Sequence, residues 1–464
     1  MKQLILLGFF LVLCSPVFAL DSADAGKSES EISEAAASFD SEEQFDENDE
    51  FGEESEFGEE ADLGQKEMSL VSQLLSPARF TLTHGVSYKT VEPIKIMNNR
   101  SSLRLEYAKL FGDTFFVQVD TKVNVYWGAD HRSREEDLRL ETNTREAFLQ
   151  MSFGNTSFKL GRQILIWGES DGGAITDVIS PRDYSELFFI PLEESRIGQP
   201  LLVIDQFTDI GDWSLFYIPE PEFNQYPAEG TGYYYDPLAG QAELLTDSYK
   251  QSKAEYGLRW KKTFGKSDVA LMGANLLEND YVYRLDGFSL TSGKSLFTKT
   301  RQRFSMVGLA FNYARGNFLY KGEIAQKSDR SFNDASYQII KKNVRDTAIG
   351  FEYTSGSSYT MSLEAVNSHV GDWEDTLQGT PENTDSIVFV WSKDFFNDDL
   401  SFSWMSSYST PYESVFHSLR TSYKLNDNVT FEFDAFHPDI RSSGGAYWIY
   451  RDQKQLALRA LLQF

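Results

Sequence analysis

The last thirteen residues, Asp452 to Phe464 (DQKQLALRALLQF), limit the fold more than any other stretch. Leu456, Leu458, Ala460, Leu462 and Phe464 occupy every second position, with Ala457, Arg459, Leu461 and Gln463 between them. Alternate side chains of a strand point to opposite faces, so this segment has one continuous apolar face that runs to an aromatic residue. The pattern recurs. Phe115, Val117, Val119, Val123, Val125 and Trp127 share one face of 114–127, and Gln118, Asp120, Lys122 and Asn124 share the other. Similar alternation runs through Tyr256–Trp260, Val307–Tyr313, Thr347–Tyr353 and Val429–Ala435. A single strand of this kind could pack in a soluble sandwich. A whole series points to a closed sheet with lipid outside and water inside.

No stretch past the amino terminus approaches the roughly 18 consecutive apolar residues of a membrane helix. Strands remain, because only helices and closed barrels satisfy their backbones in lipid. Composition agrees: mean hydropathy is −0.39, yet 36 Phe, 23 Tyr and 8 Trp suffice for aromatic girdles at two interfaces. Lys2, the apolar run Leu4–Leu13, Pro16 and Ala19 read as a secretory signal peptide over 1–19, cut after Ala19. The only cysteine, Cys14, lies within it, and Leu13 beside it argues against lipid attachment there. The exported chain is then free of disulfides and must draw its stability from elsewhere, such as barrel closure.

The formal charge of −27 excludes nucleic acid as a partner class. Most of it sits in 20–68, where 19 Asp and Glu stand against Lys27 and Lys66. This tail is too polar to bury a core and is expected to be disordered. It carries a six-residue repeat, with Phe39, Phe45, Phe51, Phe57 and Leu63 at equal spacing. Two readings stay open: a solvated spacer, or a string of weak docking motifs for a periplasmic or inner-membrane exporter partner. Met68 to Leu75 has the makings of one or two helical turns.

From Arg79 onward, within a barrel domain set at 69–464, the chain reads as strands of about nine to fifteen residues. Gly112-Asp113, Gly154-Asn155, Ile210-Gly211, Gly265-Lys266, Arg315-Gly316, Gly356-Ser357, Asn397-Asp398 and Asn426-Asp427 suit tight hairpins. Mostly longer connections alternate with them at 92–100, 128–142, 168–200, 219–251, 285–300, 329–343, 370–383, 410–412 and 437–451. The count is eighteen antiparallel strands, or sixteen if the short runs 201–208 and 212–218 are not in the wall. The all-β pattern and the final strand resemble bacterial outer-membrane β-barrels. That resemblance implies short turns in the periplasm, outer-membrane lipid around the wall, and Leu462 and Phe464 as a signal to the barrel assembly machinery.

The third outer loop is the most distinctive stretch. It opens on Gly161-Arg-Gln-Ile-Leu-Ile-Trp167-Gly168 and continues through Ser180-Pro181-Arg182-Asp183 to Gly198-Gln-Pro200. These segments resemble a poorly characterised family of proteobacterial outer-membrane barrels, with Ser180 where that family has Asn. The resemblance implies a transport association, since the genes often neighbour exporters of the resistance-nodulation-division superfamily. Likeness to porins implies a loop folded into the pore. Leu187, Phe188, Phe189 and Ile190 are too apolar for an exposed loop. Arg162, Glu169, Asp171, Asp177, Arg182, Asp183, Glu186, Glu193, Glu194 and Arg196 are candidates for a charged constriction, or else for pinning the loop to the wall.

Strict alternation would point Arg162 at lipid, where a mid-bilayer arginine costs about 2–4 kcal/mol. A bulge near Gly161 is therefore expected to turn it inward. Parity places Arg104, Asp120, Lys122, Arg259, Lys321 and Arg420 on the lumen wall, among mixed signs that favour ion-pair ladders over selectivity rings. A channel is the leading function. An outer-membrane lipase or protease and a structural tether are the alternatives. The five histidines show no nucleophile–base pairing and no metal-ligand spacing, so neither a catalytic residue nor a cofactor is assigned.

Overall fold

The computed structural model describes residues 76–127, 139–170, 173, 175–187, 190, 192–235, 238, 240, 242–245, 253–356 and 359–464. The segment expected to be a signal peptide, the Phe-repeat tail and Met68–Leu75 lie outside them.

The wall begins with β1 (Ala78–Lys89), β2 (Lys95–Phe111), β3 (Phe115–Tyr126), β4 (Leu140–Phe153), β5 (Thr156–Gln163), β6 (Gln199–Gln206) and β7 (Asp212–Ile218). β8 (Ala242–Leu245) stands apart from it. β9 (Glu255–Phe264) and β10 (Ser267–Leu277) return to the wall, and β11 (Val282–Phe288) and β12 (Ser295–Thr300) again leave it. The circuit finishes with β13 (Arg303–Arg315), β14 (Phe318–Asn333), β15 (Ile339–Ser355), β16 (Tyr359–Val370), β17 (Asn383–Phe395), β18 (Leu400–Thr410), β19 (Ser414–Asn426), β20 (Val429–Ile440) and β21 (Gln455–Gln463). Each wall strand pairs antiparallel with the next one in the wall, and β21 pairs with β1, giving one closed barrel of 18 strands. β6 and β7, the pair on which a sixteen-strand count depended, both belong to the ring.

Closure runs to the last residue. The β1–β21 ladder extends from Lys89↔Gln455 to Thr81↔Gln463. Phe80 and Phe464 then exchange two backbone hydrogen bonds of 2.9 Å, and their rings stack with centroids 5.9 Å apart. Among the described residues, the 18-strand wall leaves no edge strand to pair with another chain.

The two faces separate as alternation requires. Leu458, Val307 and Ile349 are among the most exposed strand residues, while Asp120, Ala310, Asp346 and Asp434, at the opposite parity, are buried. The short turns fall between β2 and β3, β4 and β5, and so on round one rim, each at a pair read from the sequence. Gly154 sits in its turn at φ 55°, a conformation that favours glycine. Among the described residues, no helix is long and apolar enough to cross a membrane.

The other rim departs from expectation in three places. β2 already starts at Lys95, and β14 and β15 run to Asn333 and back from Ile339, so these loops are shorter than predicted. The stretch 285–300 contains strand rather than open loop: β11 and β12 form a hairpin that β8 extends to a small three-stranded sheet. Beyond the membrane band a strand no longer separates lipid from water, so the period-two signal fades. Gly287, at a register slip in this hairpin, breaks it further.

Candidate functional site: a loop moored across the lumen

The site starts from a patch of small residues on the inner wall. Ala270, Ala310, Glu323, Ala348 and Val366 stand side by side on β10, β13, β14, β15 and β16. In the next row, Met272, Gly308 and Ala325 adjoin Asp346. Short side chains leave a recess, and the loop after β5 fills it. Trp167, Ile175 and Ile179, each at most 2% exposed, pack with Ala310, Ala325, Ala348 and Val366 in one cluster. Trp167 meets Phe216 edge-on at 5.1 Å. A Cβ on Gly308 would lie 2.7 Å from Thr176 Cγ2, so this close approach of loop to wall needs glycine.

Glu323 rises from the recess and binds the loop backbone. Its carboxylate accepts hydrogen bonds from the Glu169 N–H, the Ser170 N–H at 2.5 Å, the Thr176 N–H at 3.2 Å and the Thr176 hydroxyl at 2.8 Å. The Ser170 hydroxyl donates to Glu364 on β16 at 2.6 Å. One carboxylate thus satisfies three backbone donors that would otherwise be stranded in a partly dry lumen.

The loop then turns on a charged knot. Asp177 holds Arg182 at 3.0 Å and Arg196 at 2.9 Å, drawing the outgoing and returning limbs together. Between those limbs the chain crosses to the far side of the barrel. Glu186 pairs with Arg100 on β2, and Glu194, in a single helical turn (Leu192–Ser195), pairs with Lys122 on β3 at 2.7 Å. Leu187 packs among Met97, Phe416 and Tyr447. Burial alone would raise the Glu194 carboxyl, but Lys122, Arg104 and Arg100 hold it well below the usual range. Asp183 goes the other way. Burial, reinforced by the charges of Glu186 and Glu141 and opposed by its bonds to Ser185, pushes it up to about 6.

Of the residues chosen from sequence, Asp177, Arg182, Glu186, Glu194 and Arg196 enter these contacts. Glu169 reaches the recess through its backbone, and its carboxylate lies 3.9 Å from Lys261. Asp171, Phe188, Phe189 and the side chain of Glu193 lie outside what the structure describes. The bulge expected near Gly161 is instead on the neighbouring strand. The β4–β5 and β5–β6 ladders run unbroken through Gly161 and Arg162, whereas the β3–β4 register slips between Asp120 and Thr121 and leaves Arg145 unpaired in the ladder. Arg162 consequently shares its register row with the exposed Ala147 and Pro200. The Thr144 carbonyl at 2.6 Å and the Glu222 carboxylate at 3.0 Å meet its charge there.

The wall residues form ladders. Arg104 grips Asp120 with two bonds of 2.7 and 2.8 Å, and the bulged Arg145 adds a third at 2.9 Å. Arg420 and Arg459 share Asp434, and Arg459 also reaches Glu432 at 2.6 Å. Lys321 lies 3.6 Å from Glu352, and the Arg259 guanidinium sits 5.9 Å from the Trp167 ring centroid. Sequence reasoning missed Arg100 and Arg145, and it did not single out Glu323 and Glu364 as moorings. Glu323 does carry a signal: its partners across both ladders, Ala310 and Ala348, are too small to cover it.

Closed barrels of this kind are found among solved bacterial outer-membrane proteins. Acinetobacter baumannii OccAB2 superposes with a TM-score of 0.50 at 10% identity, over 83% of this chain and 97% of that one. Pseudomonas aeruginosa OccD3 (OpdP) gives 0.48 at 11%, over 84% and 92%. Salmonella typhi OmpF, in complex with daunomycin, gives 0.42 at 12%, over 83% and 97%. What OccAB2 shares with this chain is the barrel fold. No curated protein matches the sequence. A family model does match, over residues 86–458 and so almost the entire barrel: the chain belongs to the family described as protein of unknown function, DUF1302.

Proposed function

We propose that the protein is an outer-membrane channel for small or amphipathic solutes, with its lumen narrowed by the third outer loop. One observation carries this reading. Inside a closed barrel, the loop is tied to β14 and β16 by Glu323 and Glu364 and to β2 and β3 by Arg100 and Lys122. Such a crossing segment reduces the open cross-section and sets charged groups beside what remains, a combination that selects by size and charge. Planar-bilayer recording tests it. Replacing 169–190 by a short Gly-Ser linker should raise the single-channel conductance several-fold. Equal conductance would remove the narrowing, and no conductance from either protein would remove the channel.

The acidic tail belongs to the same proposal as a tether to a periplasmic or inner-membrane exporter partner, through its evenly spaced Phe39, Phe45, Phe51 and Phe57. Deleting 28–66 should leave conductance unchanged and reduce the recovery of exporter subunits on cross-linking in cells. Undiminished recovery would make the tail a spacer.

A further inference from the structure

We propose that the outside of the wall, across β18 to β21, carries a binding site for one phosphate-bearing acyl lipid of the outer leaflet. The site is a trough on the lipid-facing surface. Trp404, Leu419, Ala435 and Leu456 lie side by side in register on four consecutive strands. Ala435 is the gap in that row: between Leu419 and Leu456 it supplies a floor but no bulk. The result is a cavity of about 400 Å³, walled by Phe402, Trp404, Leu419 and Leu456, within the range of about 300–1,000 Å³ typical of ligand sites.

The row immediately toward the loop rim changes character. Ser406, His417 and His437 are paired across β18, β19 and β20, and Lys454 and Thr90 continue the lining of the same cavity. Thr90 is fastened to Lys454 by two hydrogen bonds to its carbonyl, of 2.8 and 3.1 Å. Trp404 stacks on His417, and the two imidazoles lie 6.5 Å apart. His417 Nδ1 is buried without a hydrogen-bond partner. Lys454 makes no ion pair among the described residues, and the acid one row higher, Asp439, is already engaged by Arg441 at 3.1 Å.

An apolar trough below and unspent basic groups above match the two ends of an anionic lipid. A chain lies along Ala435 between aromatic and leucine walls, and the phosphate meets Lys454, His417 and His437 at the interface. The height is consistent, because His437 stands three residues from the end of β20 and Lys454 directly precedes β21, both at the loop rim. Placing that rim in the outer leaflet rests on the membrane orientation argued above, whereas binding itself does not depend on conduction.

Native mass spectrometry of the full exported chain in detergent tests the site, with phosphatidylglycerol or phosphatidylcholine of the same acyl chains added. Phosphatidylglycerol should be retained as a single adduct in preference to phosphatidylcholine, by about five-fold through the charge of Lys454, with the imidazoles serving as hydrogen-bond partners of the phosphate. His417→Ala/His437→Ala/Lys454→Ala should abolish the preference, and Ala435→Phe should abolish retention of both lipids. All four side chains point away from the lumen, so conductance should stay at the wild-type level; this separates failure of the site from failure of the channel reading. Equal retention of the two lipids, or a preference that survives the triple variant, overturns the proposal. A dimer dispersed by Ala435→Phe would assign the face to a second copy and overturn it as well.

Discussion

Replacing Glu323 by Ala removes the acceptor for four loop hydrogen bonds while leaving the wall strand intact. A hydrogen bond to a charged group is worth about 1.5–3 kcal/mol. The four are coupled through one carboxylate, and a lifted loop regains water, so the sum overstates the effect. Two bonds' worth, about 3 kcal/mol, is a conservative figure, and it lowers the docked-to-lifted ratio by about two orders of magnitude. The apolar packing of Trp167, Ile175 and Ile179 opposes release. The expected result is therefore a loop that visits the lifted state often enough to be seen, not one that is lost. In single-channel recordings, Glu323→Ala should show brief excursions to higher conductance that are rare in the wild type. Glu323→Gln should do the same more weakly, because an amide keeps one acceptor and places a donor against backbone N–H groups. If Glu323→Ala folds, as judged by heat-modifiable gel mobility, and its current is as quiet as wild type, the mooring is not what holds the loop.

Three further outcomes follow from separate contacts. Lys327 and Asp346, 2.6 Å apart and with no exposed side-chain surface, form a pair whose one-sided removal costs about 3–5 kcal/mol; Lys327→Met should lower the urea midpoint clearly, and Lys327→Met/Asp346→Leu should recover much of the loss. Asp183 is pushed up to about 6 in the folded loop against an ordinary value of 3.8, so the folded state binds the extra proton between those values. Its contribution is therefore full below the lower value and is lost as pH rises through the upper one. Loop excursions should grow more frequent from pH 4 to pH 7, and Asp183→Asn should flatten that dependence. Phe464→Ala removes the ring stacked on Phe80, a loss of about 0.5–1.5 kcal/mol, and should slow the appearance of the heat-modifiable band during refolding; an unchanged rate would leave the terminal aromatic without a part in closure.

The wall was legible because lipid on one side and water on the other impose a period of two on every strand, and tight turns impose Gly, Asn and Asp at the hairpins. The count of eighteen held even through the short β6 and β7. The recess was legible in principle: Gly308, Ala310, Ala325 and Ala348 are small, inward by parity, and clustered on adjacent strands. What alternation does not encode is pairing across the lumen. Nothing in the local sequence of Arg100 points to Glu186, and nothing around Lys122 points to Glu194, because these partners meet only after the barrel has closed. The slip at Arg145 was missed for a related reason. A bulge repairs a conflict between two strands, and the strand that yields was not the one in which the conflict was visible.

The mooring points of the third loop lie half a circumference apart, on β2 and β3 at one side and on β14 and β16 at the other. A segment fixed at both ends of a diameter acts as a strut. It resists ovalisation of the cylinder, and it transmits strain from one flank to the other. Freeing one end alone converts the strut into a cantilever, still seated but able to swing, so the two sets of anchors should be mechanically unequal to the sum of their separate removals. On the proposed channel reading, squeezing the cylinder from outside, by lipid thickness or lateral pressure, would then reach the aperture without any ligand entering it.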